Sequence, residues 1–155
     1  YLEKVMYAKS IMPDLVLTSD VIVGFPGEGE EEFLETYHLL ESIEASFLHI
    51  FPFSERPGTP AVSMPNKVQS RISTERVERL EELSNRLYKS LAERFLGTTR
   101  SVLFESTNHS GMMFGYTDNY LRVCHPYDSS LINTIVDVRL VSLDSECNIS
   151  SEIVG

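Results

Sequence analysis

A chain of 155 residues with 42% hydrophobic and 23% charged side chains has the composition of a globular protein holding one ordinary core or two small ones, which excludes disordered and fibrous classes. No apolar run approaches the roughly 20 residues of a membrane helix, and the start YLEKVMYAKS lacks the basic flank and apolar stretch of a signal peptide, so a cytoplasmic protein with no membrane partner is expected. The net charge of -10 argues against a simple nucleic-acid binder, yet it is unevenly spread: residues 66–97 carry 7 basic and 5 acidic side chains, against 3 and 11 in residues 1–65 and 3 and 7 in residues 98–155.

The first element expected is a helix over YLEKVMYAKSIM, with Leu2, Val5, Met6, Lys9 and Met12 at helical spacing and Pro13 as its stop. LVLTSDVIVGF follows as a β-branched run, apolar almost throughout, as a parallel strand covered on both faces should be. Pro26 and Gly27 end it. EEEFLETYHLLESI then places Phe33, Leu34, Tyr37, Leu40 and Ile43 on one stripe of an amphipathic helix, and SFLHIF makes a second short strand closed by Pro52. Strand, helix and strand within about 35 residues form a βαβ unit.

After the proline-rich SERPGTPAVSMP comes a long helix over 66–96, with Asn66 and Gln69 in a capping-box pattern, an apolar seam of Leu80, Leu83, Leu87, Leu91 and Phe95, and Gly97 as its C-terminal cap. From Thr98 the pattern changes to short β-rich stretches, TRSVLFES, GMMFGYTDNYLRVCH and LINTIVDVRLVSL, which suit a small barrel. The expected fold is therefore α/β followed by all-β. Its parts are an α/β segment built on the βαβ unit (1–65), a long connecting helix (66–97) and a small antiparallel β-barrel (98–155).

Ligands of parallel α/β folds lie beyond the carboxyl ends of the strands, which points to FPGEGE after the first strand and PFSERPGTPA after the second. Gly24 and Gly27 let a backbone come close to a ligand, but Glu28, Glu30, Glu31 and Glu32 crowd the start of the next helix and would compete with phosphate for it. The spacing of the glycines is also not that of a Rossmann or Walker loop. A neutral or cationic ligand fits better, with a plain strand-to-helix turn as the alternative. In the second loop the prolines stiffen the chain around Arg56, whose guanidinium suits a carboxylate or merely balances an acidic surface. Cys124 and Cys147 are the only cysteines, and neither has a histidine at ligand spacing, so this chain is expected to hold no zinc and no iron-sulfur cluster.

DVIVGFPGE, with HIFPFSERPGTPA some twenty residues later, resembles the C-terminal part of the catalytic barrel of radical-SAM methylthiotransferases, and GYTDNYLRV resembles the start of their appended RNA-binding TRAM barrel. LHIFPFSERPGTPA and GYTDNYLRV look most like the tRNA-modifying branch called MtaB. The resemblance implies a partial radical-SAM (TIM-like) barrel, a linker helix and a TRAM/OB-like barrel. It also implies S-adenosylmethionine as cofactor, two 4Fe-4S clusters in the parent protein with none ligated here, and the anticodon stem-loop of tRNA as partner. The reaction it implies is transfer of a methylthio group to N6-threonylcarbamoyladenosine, the sister branches acting on isopentenyladenosine in tRNA or on a ribosomal protein.

Carried over residue by residue, the resemblance makes Ile22 and Gly24 a wall for adenine and turns Asp20 to the barrel lumen. It makes Phe51 and Phe53 further walls and Arg56 a partner for a carboxylate. The family usually has Thr at the position of Gly29, so a capping side chain is missing here. In the β-rich half, Arg100, Tyr116, Asn119, Tyr120, Arg122 and Arg139 become candidates for RNA, the arginines for phosphate and the tyrosines for stacking on unpaired bases. The family's Cx3Cx2C motif is not in this sequence, and the chain lacks an initiator methionine, so a fragment is expected that waits on the missing N-terminal part of the same chain and is inactive alone. A dedicated RNA-binding adaptor and a structural scaffold are the alternatives from other classes.

Overall fold

The computed structural model describes residues 1–154. They fall into two compact units, Tyr1–Leu87 and the residues from Tyr88 onward. Among the described residues no helix is long and apolar enough to cross a membrane.

The first unit holds α1 (Leu2–Ile11), β1 (Leu17–Val23), α2 (Glu30–Ser42), β2 (Ala45–Pro52) and the first turns of α3 (Ser70–Phe95). β1 and β2 pair in parallel, with Asp20 opposite His49 and Ile22 opposite Phe51, so the expected strand, helix and strand do form a crossover unit. Burial along β1 alternates, with Val21 and Val23 inside and Asp20 and Ile22 outside. The expected double-sided burial is therefore corrected: only one face of this two-stranded sheet is covered, and the other is open.

Val21, Val23 and Ala45 pack with Phe33, Leu40 and Ile43 and with Leu80, Leu83 and Leu87 of α3. Each of the Val, Leu, Ile and Phe side chains contributes roughly 1.5–3 kcal/mol on burial. In α1 only Val5 is buried, while Leu2, Met6 and Met12 of the expected stripe are exposed. That helix is instead tied down by a 2.6 Å ion pair from Lys9 to Glu44.

α2 starts without a capping hydroxyl. Glu32 Oε2 accepts the Gly29 N–H at 2.8 Å, and Glu30, Glu31 and Glu32 all lie in the first turn, where the helix dipole favours negative charge. α3 begins four residues later than expected. Asn66 has φ +58°, outside the extended backbone that an N-cap needs, and its carbonyl accepts the Gly27 N–H at 2.9 Å. The Gln69 carbonyl accepts the first amides instead, from Ile72 at 2.9 Å and Ser73 at 3.1 Å.

In the second unit the last turns of α3 bury Leu91, Ala92 and Phe95, and Gly97 ends the helix at φ +82° with its N–H donated to the Leu140 carbonyl at 2.7 Å. Five strands follow: β3 (Thr99–Phe104), β4 (Met112–Thr117), β5 (Arg122–Pro126), β6 (Ile135–Leu143) and β7 (Ile149–Ile153). They close into a barrel in the order β3-β4-β5-β7-β6, the last strand returning to the first. This is consistent with a small OB-like domain. The expectation of a purely antiparallel barrel is corrected at one seam, because β5 and β7 pair in parallel. β7 itself was not among the expected strands: ISSEI has one fully buried apolar residue, Ile149, and serines where alternation would show.

Candidate functional site

The carboxyl ends of β1 and β2 build the first candidate site. Gly24 has φ +80°, a left-handed conformation, and a side chain there would collide with Ser73 of α3. Helix packing therefore demands this glycine before any ligand is considered. Glu28 folds back so that its carboxylate Oε2 accepts both the Gly24 N–H and the Phe25 N–H, the latter at 3.1 Å. On the other side of the turn, Phe53 N–H donates to the Val23 carbonyl at 2.8 Å.

A buried arginine holds this turn. Arg76, 4% exposed, donates from Nη1 to the Glu28 carbonyl at 3.1 Å and pairs with the Glu28 carboxylate at 3.5 Å and that of Glu30 at 3.8 Å. Its guanidinium lies over the Phe33 ring at 5.2 Å. Arg79 bonds Glu30 at 2.7 Å, and that bond holds the Glu30 carboxyl below its ordinary 4.5. Glu28, Glu30 and Glu32 are thus committed to amides and arginines, and Glu28 occupies the donors that a phosphate would need.

A cleft of about 410 Å³ opens at the strand ends, lined by Gly24, Pro52, Phe53, Lys67, Ser73 and Thr74 among others. Asp20, Ile22 and Phe51 share the open face of the sheet, with Ile22 61% and Phe51 52% exposed. Gly24 and Phe53 share the cleft, and the Phe53 ring meets Phe25 edge-on at 5.1 Å. Arg56 stands outside both groups, exposed, in a turn whose Thr59 N–H and Oγ1 donate to its carbonyl. The carboxylate on the open face, the apolar walls and the closed-off amides suit a ligand with a flat apolar ring and a positive charge, and disfavour a phosphate.

In the barrel, Tyr116 and Tyr120 are exposed with ring centroids 6.4 Å apart, beside a cleft of about 440 Å³ that also has Leu103 and Ile135 in its lining. Tyr120 is held at φ +64° by a tight turn, in which its N–H donates to the Thr117 carbonyl and Leu121 N–H to Thr117 Oγ1. Asn119 belongs to that turn, accepting from Thr117 Oγ1 at 2.6 Å, and is half-buried rather than presented to solvent. Arg100 lies over Phe95 at 4.5 Å and reaches Asp118 at 3.5 Å. Arg122 is exposed and stacks on Phe114 at 4.3 Å, its amide donating to the Tyr88 hydroxyl at 3.0 Å. Arg139 is exposed on β6. The structure thus groups the two tyrosines and leaves the three arginines on separate supports.

Sequence reasoning missed Arg76, Ser73 and the inward turn of Glu28. A signal existed, since Ser73 and Arg76 continue the Leu80, Leu83, Leu87 seam at the same spacing. A polar residue in register with a core seam is a buried one.

No family profile matches the chain. It is 42% identical over 137 residues to threonylcarbamoyladenosine tRNA methylthiotransferase MtaB of Bacillus subtilis, an alignment covering 86% of this chain and 30% of that protein. It is 40% identical over 144 residues to the tRNA-2-methylthio-N(6)-dimethylallyladenosine synthase of Pelobacter propionicus, with 92% and 33% covered. The enzyme of that name from Aliarcobacter butzleri is 32% identical over 156 residues, with 100% and 36% covered. The chain spans about a third of the length of the curated relatives it matches.

Proposed function

Because the chain belongs to the radical-SAM methylthiotransferase family, we propose that it is the part of a tRNA methylthiotransferase that walls one side of the S-adenosylmethionine pocket and carries the RNA-binding barrel. The substrate in this reading is N6-threonylcarbamoyladenosine beside the anticodon. The observation that carries the cofactor part is the open sheet face. Ile22 and Phe51 offer apolar contact to adenine, Asp20 offers a carboxylate to the cationic end, and Glu28 has closed the turn to phosphate. S-adenosylmethionine, when bound, supplies the methyl group and the radical chemistry, with 4Fe-4S clusters held by cysteines outside this chain.

The RNA half of the reading rests on Tyr116 and Tyr120 as stacking surfaces, with Arg122 and Arg139 for phosphate. Asn119 and Arg100 support that surface, the first as part of the Tyr120 turn and the second through Asp118. Phe53 borders the cofactor cleft, and Arg56 is assigned to a carboxylate of cofactor or substrate.

The test is nucleoside mass spectrometry of tRNA from a host lacking its own methylthiotransferases and supplied with the longer gene. Conversion of N6-threonylcarbamoyladenosine to its methylthio form is the expected result, and unchanged nucleoside overturns the reading. Methylthio on dimethylallyladenosine instead would install the second reading, which the 40% identity to the Pelobacter propionicus enzyme favours. The 155-residue chain alone, reconstituted without oxygen, is expected not to cleave S-adenosylmethionine; turnover by it would refute the assignment of the cluster to another segment.

A further inference from the structure

We propose that Arg76 is a positioning residue for S-adenosylmethionine, acting through Glu28 to fix the backbone wall at the tip of β1. This rests on the cofactor reading above and names how that site is held. Five observations converge on one turn. The Glu28 carboxylate accepts the amides of Gly24 and Phe25, so the turn between strand and helix is pinned from its N–H side. Phe53 N–H on the Val23 carbonyl pins it from the other. Arg76 grips Glu28 twice, at the carbonyl and at the carboxylate, which couples the turn to the helix that packs beneath it. Ser73, one turn earlier on that helix, lies where a Gly24 side chain would be. Arg76 is nearly fully buried, and its Nε has no hydrogen-bond partner among the described residues.

Burying a guanidinium with an unmet donor is costly, and an apolar residue at this seam position would pack without that cost. The arginine's return is geometric. A planar fork sets both the distance and the direction of Glu28, which an apolar side chain cannot do. A methylene's worth of drift in Glu28 releases the Gly24 and Phe25 amides and shifts the wall against which adenine would lie. The Phe33 ring under the guanidinium, at 5.2 Å, keeps the fork from swinging outward.

The experiment uses the longer protein with its clusters loaded, and measures S-adenosylmethionine dissociation constants by equilibrium dialysis for wild type, Arg76→Lys, Arg76→Gln, Glu28→Gln and the Arg76→Gln/Glu28→Gln double variant. Hydrogen exchange at Gly24 and Phe25 is read on the same samples. Arg76→Gln and Glu28→Gln are expected each to weaken binding about tenfold and to speed exchange at both amides. The double variant is expected to be no worse than the singles, because both act through one clamp. Arg76→Lys, which keeps the charge and loses the fork, is expected to fall between wild type and Arg76→Gln.

Unchanged affinity in a folded Arg76→Gln variant overturns the proposal while leaving the cofactor reading standing, as does a hundredfold loss in the double variant. Wild-type protein that fails to bind S-adenosylmethionine overturns both. If Arg76→Gln does not fold, Glu28→Gln carries the decision, since its side chain lies on the turn rather than in the helix seam.

Discussion

Replacing Gly24 with alanine tests the packing at the tip of β1 most directly. The residue sits at φ +80°, where a side chain costs about 1–2 kcal/mol relative to glycine. The new Cβ would fall within 3.0 Å of Ser73 Oγ and 3.1 Å from Ser73 Cβ, with Val68 Cβ at 3.8 Å. Ser73 is buried on α3, so the helix must shift or the serine change rotamer, an overpacking cost of about 1–3 kcal/mol. The stiffer unfolded chain of the alanine variant returns about 0.4–1 kcal/mol. The net expectation is a loss of about 3 kcal/mol in the first unit. Local opening free energies from hydrogen exchange over residues 17–25 isolate it from the barrel. Ser73→Ala removes the nearest atom but leaves the backbone angle, so in that background Gly24→Ala should cost about 1–2 kcal/mol less. A cost below 1 kcal/mol, or one that Ser73→Ala does not change, would show that the turn is loose and would refute the account of why glycine stands there.

In the barrel, Gly115→Ala would set a Cβ against the Leu103 backbone and 2.7 Å from Val102 Cγ1, so a loss of about 2 kcal/mol is expected in thermal unfolding of the second unit, and a neutral result would mean the β3–β4 seam can open. Asp144 accepts Asn148 N–H, Asn148 Nδ2 and Glu146 N–H in the turn before β7; against the opposing effect of burial, these bonds hold its carboxyl below its ordinary 3.8. A depressed carboxyl contributes stability that is complete above the unfolded value and fades as pH falls through the folded one, so wild-type melting temperature should drop below about pH 4 more steeply than that of Asp144→Asn; parallel curves would remove the turn from the acid response. Tyr120→Gly frees a strained φ of +64° and is expected to leave stability unchanged or slightly raised, while weakening binding to an anticodon stem-loop at low salt about tenfold, as loss of one stacking ring should. Undiminished binding in fluorescence anisotropy would take Tyr120 out of the RNA surface.

Period-two and period-3.6 patterns made most elements legible in the chain: the βαβ unit, the α3 seam through Phe95 and four of the five barrel strands follow from apolar spacing alone. The failures share a physical cause, which is that a backbone angle or a partner decided the outcome rather than propensity. Asn66 and Gln69 match a capping box, but Asn66 is drawn to φ +58° by the Gly27 amide on its carbonyl. The seam spacing sets Ser73 and Arg76 against the core, but their partners, Gly24 and Glu28, lie some fifty residues away in sequence and have no signature there. β7 has little apolar pattern because its register against β5 and β6 supplies what its composition does not. The candidate site was legible in its loops, since FPGE and ERPGTPA lie at strand ends as α/β folds require. That Asn119 serves the Tyr120 turn was not legible, because the same residue type serves turns and RNA equally well.

The parity of β1 explains how one short strand serves both the fold and the site. A two-stranded sheet is marginal in water unless helices cover it. Here Val21 and Val23 meet α2 and α3, while Asp20 and Ile22 point the other way, beside His49 and Phe51 of β2. Core packing and exposure to solvent thus fall to alternate residues of the same strand. A one-residue slip would exchange them, placing a carboxylate in the core and two valines on the open face. The register irregularity lies between Leu17 and Thr18, at the start of the strand and away from the tip. The ladder itself runs to the tip, where Val23 pairs with Pro52. Beyond it, the Gly24 and Phe25 amides donate to the Glu28 carboxylate and Arg76 donates to the Glu28 carbonyl, which holds the turn that follows. Substitutions at Asp20, Ile22 and Phe51 on the open face are therefore expected to have little effect on the core behind it.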